Sequence, residues 1–270
     1  MKKTVEFIYR LYLKFWKQLA AFIYFRSLRK VGNWAEWLEI DKFFGELSRD
    51  PYFRNFRRHQ LLIQTMDYQG FESFAFSKTL AKIGIKESSS GRPFKPPFLR
   101  NSLNLGHQYK HIKNWLETTE IDINSIKRIV EFGGGYGCMR WLVSELGYKN
   151  QYVIVDNDGI KELQSRYLKE SLDESTYKHT VWKNSLDSLE PKLNSNDLFI
   201  ALWSLSETPD SMMQYLIDEV NNSNSHLLIG FQHDFYGRSN TVFFESKFAK
   251  TVEKPVVGLS GGSTSTYIFK

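Results

Sequence analysis

The segment Lys127 to Gly147 reads KRIVEFGGGYGCMRWLVSELG and places Gly133, Gly134, Gly135 and Gly137 between an apolar run and a helical pattern. Glycine suits a backbone that must adopt left-handed dihedrals or pass close to a ligand. A cluster this dense therefore marks a turn with a task. Ile129 to Phe132 reads as a short strand, and Tyr136 to Leu146 has helical periodicity closed by Gly147 at the position just past the helix end. The glycines form the strand-to-helix turn between them.

Downstream, the same alternation repeats. Tyr152 to Val155 reads as a second strand ending at Asp156, followed by a helix from about Gly159 to Leu172 and a third strand from Thr180 to Lys183. Leu198 to Trp203 supplies a fourth strand and Ser211 to Asn221 a helix. His226 to Phe231 supplies a fifth strand, with a helix near Asn240 to Lys250. The last stretch reads as a hairpin, with strands near Val252 to Val257 and Thr264 to Phe269 around GLSGG. Strands alternating with helices imply an open, mostly parallel sheet covered on both faces, with ligands at the carboxyl ends of the strands.

The spacing of the glycines narrows the ligand. A dinucleotide fingerprint counted from Gly133 would put its third small residue on Cys138, so that match fails, and no G-K-[ST] follows to make a phosphate-binding loop. What remains is G-x-G-x-G at Gly133, Gly135 and Gly137, preceded by Glu131, with Asp156 at the end of the next strand. This pattern resembles motif I of the class I S-adenosylmethionine-dependent methyltransferases. The resemblance implies a Rossmann-like α/β fold with a mostly parallel seven-stranded sheet and a terminal β-hairpin, preceded here by a helical N-terminal region. It implies S-adenosyl-L-methionine as cofactor, with contacts from Glu131, Gly133, Gly134, Gly135, Gly137, Asp156, Asn157, Asn184 and Ser204. Asp156 would accept the ribose hydroxyls, and the glycines would leave room for the methionine part and ribose.

A narrower likeness spans roughly residues 101 to 270. VEFGGGYGCM, YVIVDNDG and LFIALWSLSETP are similar to segments of the sugar O-methyltransferases of bacterial surface-polysaccharide clusters, although DND stands where a DLP-like sequence is common. It implies a sugar hydroxyl as acceptor, in a glycan or in its lipid-linked or nucleotide-linked precursor. A hydroxyl is a poor nucleophile, so a base that takes its proton helps the transfer. Candidates follow the fourth and fifth strands: Ser204, Ser206 and Glu207 after one, His233 and Asp234 after the other. His233 is the preferred base, because imidazole accepts a proton near neutral pH without help from its surroundings. His233 also reads as an ordinary loop residue, and Glu207 as a cap for the helix after Pro209. Asp234 reads as an orienter of another side chain, or as a partner of Glu207 on a divalent metal. No His/Cys metal-ligand spacing is present, so no metal is expected. His107 and His111 stand before the first strand, placed to close over a cofactor.

Upstream of the glycine turn the chain is of another kind. TVEFIYRLYLKFWKQLAAFIYF, Thr4 to Phe25, is apolar and aromatic, yet Glu6, Arg10, Lys14 and Lys17 recur on one helical face. Its longest uncharged run, Gln18 to Phe25, is far short of the roughly 20 residues that cross a bilayer, and no signal-peptide cleavage pattern follows. Residues 1 to 30 thus read as a basic amphipathic helix, either docked on its own domain or lying on an anionic membrane with Phe7, Leu11, Phe15, Trp16 and Phe22 inserted. Residues 34 to 85 read as helices with aromatic faces. ESSSGRPFKPPFLRNSLNLG, Glu87 to Gly106, reads as a linker or lid. Helical spacing resumes from His107 to Leu116. The expected domains are 1–30, an accessory region over 31–118, and a cofactor-binding domain over 119–270.

Charge and cysteine content exclude other classes. Of the net +6, residues 1 to 30 alone contribute +7, whereas residues 121 to 270 hold 15 basic against 19 acidic side chains. A phosphate-binding footprint belongs on the working domain, so a nucleic-acid partner is not expected. One cysteine, Cys138, rules out an internal disulfide and fits a reducing, cytoplasmic setting beside the inner membrane. Two rival readings stay open: a methyltransferase acting on RNA or protein, and a non-catalytic cofactor-fold module at the membrane.

Overall fold

The computed structural model describes residues 70–90, 95, 99–231, 233–235, 237–248, 252–256 and 263–270. The amphipathic helix expected over 1–30, the helices expected up to residue 69 and the GLSGG tip of the terminal hairpin lie outside the described residues. The chain forms two compact units, one of residues 1–110, 158–171 and 257–262, the other of 111–157, 172–256 and 263–270.

The second unit holds the sheet. Its strands are β1 Arg128–Phe132, β2 Gln151–Val155, β3 Thr180–Lys183, β4 Asp197–Leu202, β5 His226–Phe231, β8 Val252–Val256 and β9 Ser263–Phe269, with a two-stranded ribbon β6 Asp234–Phe235 and β7 Arg238–Ser239 between the fifth strand and the last pair. The order across the sheet is β3-β2-β1-β4-β5-β9-β8. The first five strands pair in parallel, with Phe132 opposite Val155 and Leu198 opposite His226. Strand β9 enters antiparallel to β5, Leu228 facing Phe269, and β8 closes the edge as its hairpin partner. This is the Rossmann-like fold of class I methyltransferases, with order reversing between β1 and β4. Ligands of such sheets bind outside the carboxyl ends at that reversal.

Local sequence explains these elements. Alternate residues of the parallel strands, Val130, Val153, Val155, Phe199, Ala201, Ile229 and Phe231, form one apolar face. Against it stands the stripe Met213, Leu216, Ile217 and Val220, spaced at one helical face on the helix Asp210–Ser223. Phe244 of the helix Asn240–Lys247 stacks on Phe231 with ring centroids 4.3 Å apart. Each such aliphatic or aromatic side chain contributes about 1.5–3 kcal/mol on burial. On the opposite face, the helix Cys138–Glu145 places Arg140 over the ring of Tyr152, 5.2 Å from its centroid. At the amino ends of the strands, Arg128 forms a two-pronged pair with Asp197 and donates to the carbonyls of Pro191 and Lys192.

In the first unit lie the helices Gly70–Lys82 and Asp158–Ser171 and the start of the helix Leu103–Thr119. That last helix begins four residues before the helical spacing recognised in the sequence. Ser102 explains the difference: its hydroxyl accepts the N–H of Leu105 at 3.1 Å, a cap read in the sequence as part of a Pro/Ser-rich linker. The linker's ends are fastened. Buried Glu87 accepts Ser102 N–H at 2.5 Å and Ser102 Oγ–H at 2.6 Å, and Asn101 accepts the N–H of Glu87 and donates to the carbonyl of Ile85.

Candidate cofactor site

The turn after β1 is built on left-handed backbone. Gly133, Gly135 and Gly137 have φ of +74°, +55° and +95°, a region that side chains with a Cβ enter at a cost of roughly 1–2 kcal/mol. The N–H of Gly133 donates to the carbonyl of Val155 and that of Gly137 to the carbonyl of Gly134, which curls the chain into the helix Cys138–Glu145. Gly137 is its N-cap residue and offers no side chain to the first-turn N–H groups.

The glycines do different work. A Cβ on Gly133 would collide with Ser204, whose hydroxyl donates to the carbonyl of Phe132. The turn after β1 is thus sealed against the chain that follows β4, and Ser204, expected among the cofactor contacts, packs on the first glycine. A Cβ on Gly135 meets no atom within 4 Å, and that residue is exposed. Backbone at Gly135 is consequently open to a ligand.

Asp156 follows β2 directly and is half-buried, its Oδ1 accepting the N–H of Asn157 at 3.0 Å. Because β2 neighbours β1 in parallel register, Asp156 and the glycine turn leave the same end of the sheet on adjacent strands. Asn157 is half-buried beside it, and Asn184 is exposed at the carboxyl end of β3. Glu131 is 5% exposed near the end of β1 and accepts the hydroxyl of Tyr152 at 2.7 Å. Burial pushes its carboxyl up to about 7, against the opposing effect of that hydrogen bond.

The residues expected on the acceptor side are also brought to this end. Glu207 is exposed on the short helical turn Leu205–Glu207 after β4, while Ser206 is buried and donates its hydroxyl to the carbonyl of Trp203. His233 is half-buried, its Nδ1 2.9 Å from the hydroxyl of Thr241, and its carbonyl accepts the N–H of Asn240. Asp234 is exposed on the β6–β7 ribbon. His111 is fully buried, bonded through Nδ1 to the hydroxyl of Tyr267 and set edge-on to Trp203. His107 belongs to the first unit.

Three residues important to this geometry were not singled out in the sequence. Arg238 donates to the carbonyls of Ser206 and Thr208, to Asp210 and to Asn240, so it ties the ribbon carrying Asp234 to the chain after β4. Trp203 holds φ of +64°, rare for a bulky residue. Arg140 is buried within the apolar helix after the turn. A lone charge inside an apolar stretch, as in GCMRWLV, was the available signal for Arg140. Among the described residues no group of three or more His, Cys, Asp or Glu is placed to hold a metal ion.

No family model matches the sequence, and no curated protein matches it. Solved structures give likenesses of fold. The methyltransferase domain of a bacterial Hen1 protein is 15% identical at a TM-score of 0.47, covering 62% of this chain and 99% of that one. Magnesium protoporphyrin IX methyltransferase from Synechocystis PCC 6803, solved with S-adenosylmethionine bound, is 14% identical at a TM-score of 0.45, covering 76% and 94%. The mitomycin 7-O-methyltransferase is 12% identical at a TM-score of 0.41, covering 82% and 74%. Likenesses at this level assign no residue and no substrate.

Proposed function

We propose that this chain is an S-adenosylmethionine-dependent O-methyltransferase whose acceptor is a sugar hydroxyl of a surface polysaccharide or of its lipid-linked or nucleotide-linked precursor. The observation that carries the cofactor is the left-handed turn at Gly133, Gly135 and Gly137, with Asp156 on the adjacent strand tip, at the point where the strand order reverses. Open space at the Cβ position of Gly135 fits a ligand lying against that backbone. Asp156 would accept the ribose hydroxyls, and Asn157 and Asn184 would flank the base. The sugar reading is supported by the three segments VEFGGGYGCM, YVIVDNDG and LFIALWSLSETP.

Bound S-adenosylmethionine would supply an activated methyl group. The protein's contribution is then orientation of the acceptor and removal of its proton. His233, Glu207 and Asp234 leave the carboxyl ends of β4 and β5 on chain that Arg238 pins together, which supports placing the acceptor there. Residues 1 to 30, with their net +7, would hold the enzyme at an anionic membrane surface where lipid-linked precursors reside. Among the described residues no helix is long and apolar enough to cross a membrane.

Calorimetric titration with S-adenosylmethionine and with its demethylated product tests the cofactor, and absence of binding to both rejects it. Mass spectrometry of surface glycans from cells with and without the gene tests the acceptor, the expected result being loss of a methyl group in the deletion. Unchanged glycans reject the sugar reading. Liposome flotation with and without residues 1 to 30 tests the surface role, and equal flotation rejects it.

A further inference from the structure

Trp203, the first residue past β4, has a left-handed φ of +64°, a region that bulky side chains avoid. A residue stays there only where its surroundings fix it from several sides. The Trp203 N–H donates to the carbonyl of Gly230 on β5 at 2.7 Å. Its carbonyl accepts the hydroxyl of Ser206 at 2.7 Å, and the carbonyl of Ser206 is held in turn by Arg238. Ser204, the next residue, bonds to Phe132 and packs against Gly133. Glycine or asparagine would take this dihedral with less strain, so the indole is kept at a cost.

The side chain is backed as firmly as the main chain. His111 stands edge-on to Trp203, with ring centroids 4.9 Å apart, and its Nδ1 lies 2.8 Å from the hydroxyl of Tyr267. All three residues belong to the second unit. His111 and Tyr267 are fully buried, whereas Trp203 is half-buried and is the member of the three that reaches solvent. Across the sheet, Asp156 and Asn184 follow β2 and β3 on one side of the glycine turn, and Trp203 follows β4 on the other. Ligands of such sheets lie over this reversal. The indole therefore borders the half of the site that the ribose and base contacts do not use.

We infer that Trp203 is the platform on which the ring of the acceptor sugar lies, with His111 and Tyr267 as positioning residues behind it. This rests on the sugar reading above and deepens it. A pyranose presents C–H groups, made electron-poor by the neighbouring oxygens, on its faces and hydroxyls around its rim. The face of an indole carries negative charge density, so the C–H groups pack against it. The rim hydroxyls then stay turned outward, free for hydrogen bonding and for transfer. An indole fixed before the ligand arrives loses little conformational freedom on binding, which accounts for the restraint on both its main chain and its ring.

The acceptor for the test is the surface glycan extracted from cells that lack the gene, with methyl transfer from labelled S-adenosylmethionine as the readout. Wild type, Trp203→Leu, Trp203→Phe and Tyr267→Phe are compared. Trp203→Leu keeps apolar bulk without a ring and is expected to raise KM for the glycan about tenfold, with a smaller change in kcat. Trp203→Phe keeps a smaller ring and should fall between it and wild type. Tyr267→Phe releases His111 and should also give an intermediate KM. Calorimetric affinity for S-adenosylmethionine should be the same in all four proteins. With the demethylated product bound, magnetisation saturated on aromatic protons should pass to C–H protons of the glycan in wild type and weaken in Trp203→Leu, which a purely structural role of the indole does not predict. Unchanged KM in Trp203→Leu overturns the inference. A loss of cofactor affinity equal to the rise in KM also overturns it, and makes the indole a support of the glycine turn. Should circular dichroism show Trp203→Leu unfolded, Trp203→Phe decides alone, and a wild-type KM in that variant overturns the inference. Wild type that binds the cofactor and transfers nothing to the glycan overturns the sugar reading and the inference with it; transfer indifferent to the ring at position 203 overturns only the inference.

Discussion

A Cβ on Gly133 would lie 2.2 Å from the Cβ of Ser204 and 2.6 Å from its hydroxyl oxygen. The turn after β1 and the chain after β4 therefore touch at a point where only glycine fits. The first glycine of the cluster is required by the protein's own packing, whereas Gly135, two residues on, has space at its Cβ position. One motif divides into a half fixed by packing and a half with open space beside its backbone.

Gly133→Ala is expected to destabilise the fold by about 2–5 kcal/mol. Left-handed backbone contributes roughly 1–2 kcal/mol of this and overpacking against Ser204 roughly 1–3 kcal/mol. Adding Ser204→Gly should recover the second part and not the first, although it also removes the hydrogen bond to Phe132. Urea unfolding of wild type and the two variants measures the parts separately. Gly133→Ala as stable as wild type would show that the contact does not exist.

Asp156→Ala should behave in the opposite way, with a small effect on unfolding and a large one on ligand affinity, whereas Gly135→Val should combine a large loss of affinity with roughly 1–2 kcal/mol of destabilisation from its left-handed φ of +55°. Loss of a hydrogen bond to a charged group costs about 1.5–3 kcal/mol, so Asp156→Ala is expected to weaken S-adenosylmethionine binding by roughly one to two decades. Gly135→Val should weaken it further, because a branched side chain enters the space against which the ligand lies. Calorimetry giving wild-type affinity for Asp156→Ala would remove that residue from the site.

Much of the sheet was legible in the sequence because its strands are short apolar runs bounded by helices of clear period. Thr180 to Lys183 and His226 to Phe231 match the observed β3 and β5 residue for residue. Gly147 has the left-handed φ of +104° that its place after a helix implied. What escaped depends on contacts between residues far apart in sequence. Ser204 reads as a cofactor contact after the fourth strand until it is seen packed against Gly133, and His111 reads as a residue placed to close over a cofactor until Tyr267, from the last strand, is found bonded to it. Periodicity reports which face of an element is apolar; it carries no information on which distant loop meets that face.

Glu87 should make stability fall as pH rises. Burial pushes its carboxyl from 4.5 up to about 7 even though Ser102 donates two hydrogen bonds to it. The folded state thus binds more protons than the unfolded one between these values, and the stabilisation present below the lower value is lost as pH passes through the upper. The full effect is on the order of 3 kcal/mol. Glu87→Gln keeps the shape, accepts from Ser102 N–H and cannot ionise, so its stability should exceed that of wild type increasingly from about pH 5 to pH 8. Denaturant unfolding at several pH values checks this. A constant difference between the two proteins would mean that Glu87 titrates alike folded and unfolded.

We propose His233 as the base, on chemistry and on how its ring is held. Nδ1 lies 2.9 Å from the Thr241 hydroxyl, and the His233 carbonyl accepts the N–H of Asn240 at the start of the same helix. The Thr241 hydroxyl, which can donate or accept, restrains the ring; in the tautomer with the proton on Nδ1, Nε2 is the basic nitrogen. On the acceptor identified from the glycans, His233→Ala is expected to lower turnover by roughly 10²–10⁴-fold with little change in S-adenosylmethionine affinity, since the residue serves the hydroxyl and not the cofactor. Thr241→Val, which leaves the imidazole but removes its restraint, should give a smaller loss of turnover with the same unchanged cofactor affinity. Full turnover in His233→Ala moves the role to Glu207 or Asp234. Loss of cofactor binding in that variant would instead make His233 a support of the β5 loop, because the carbonyl that caps the helix depends on the same residue staying in place.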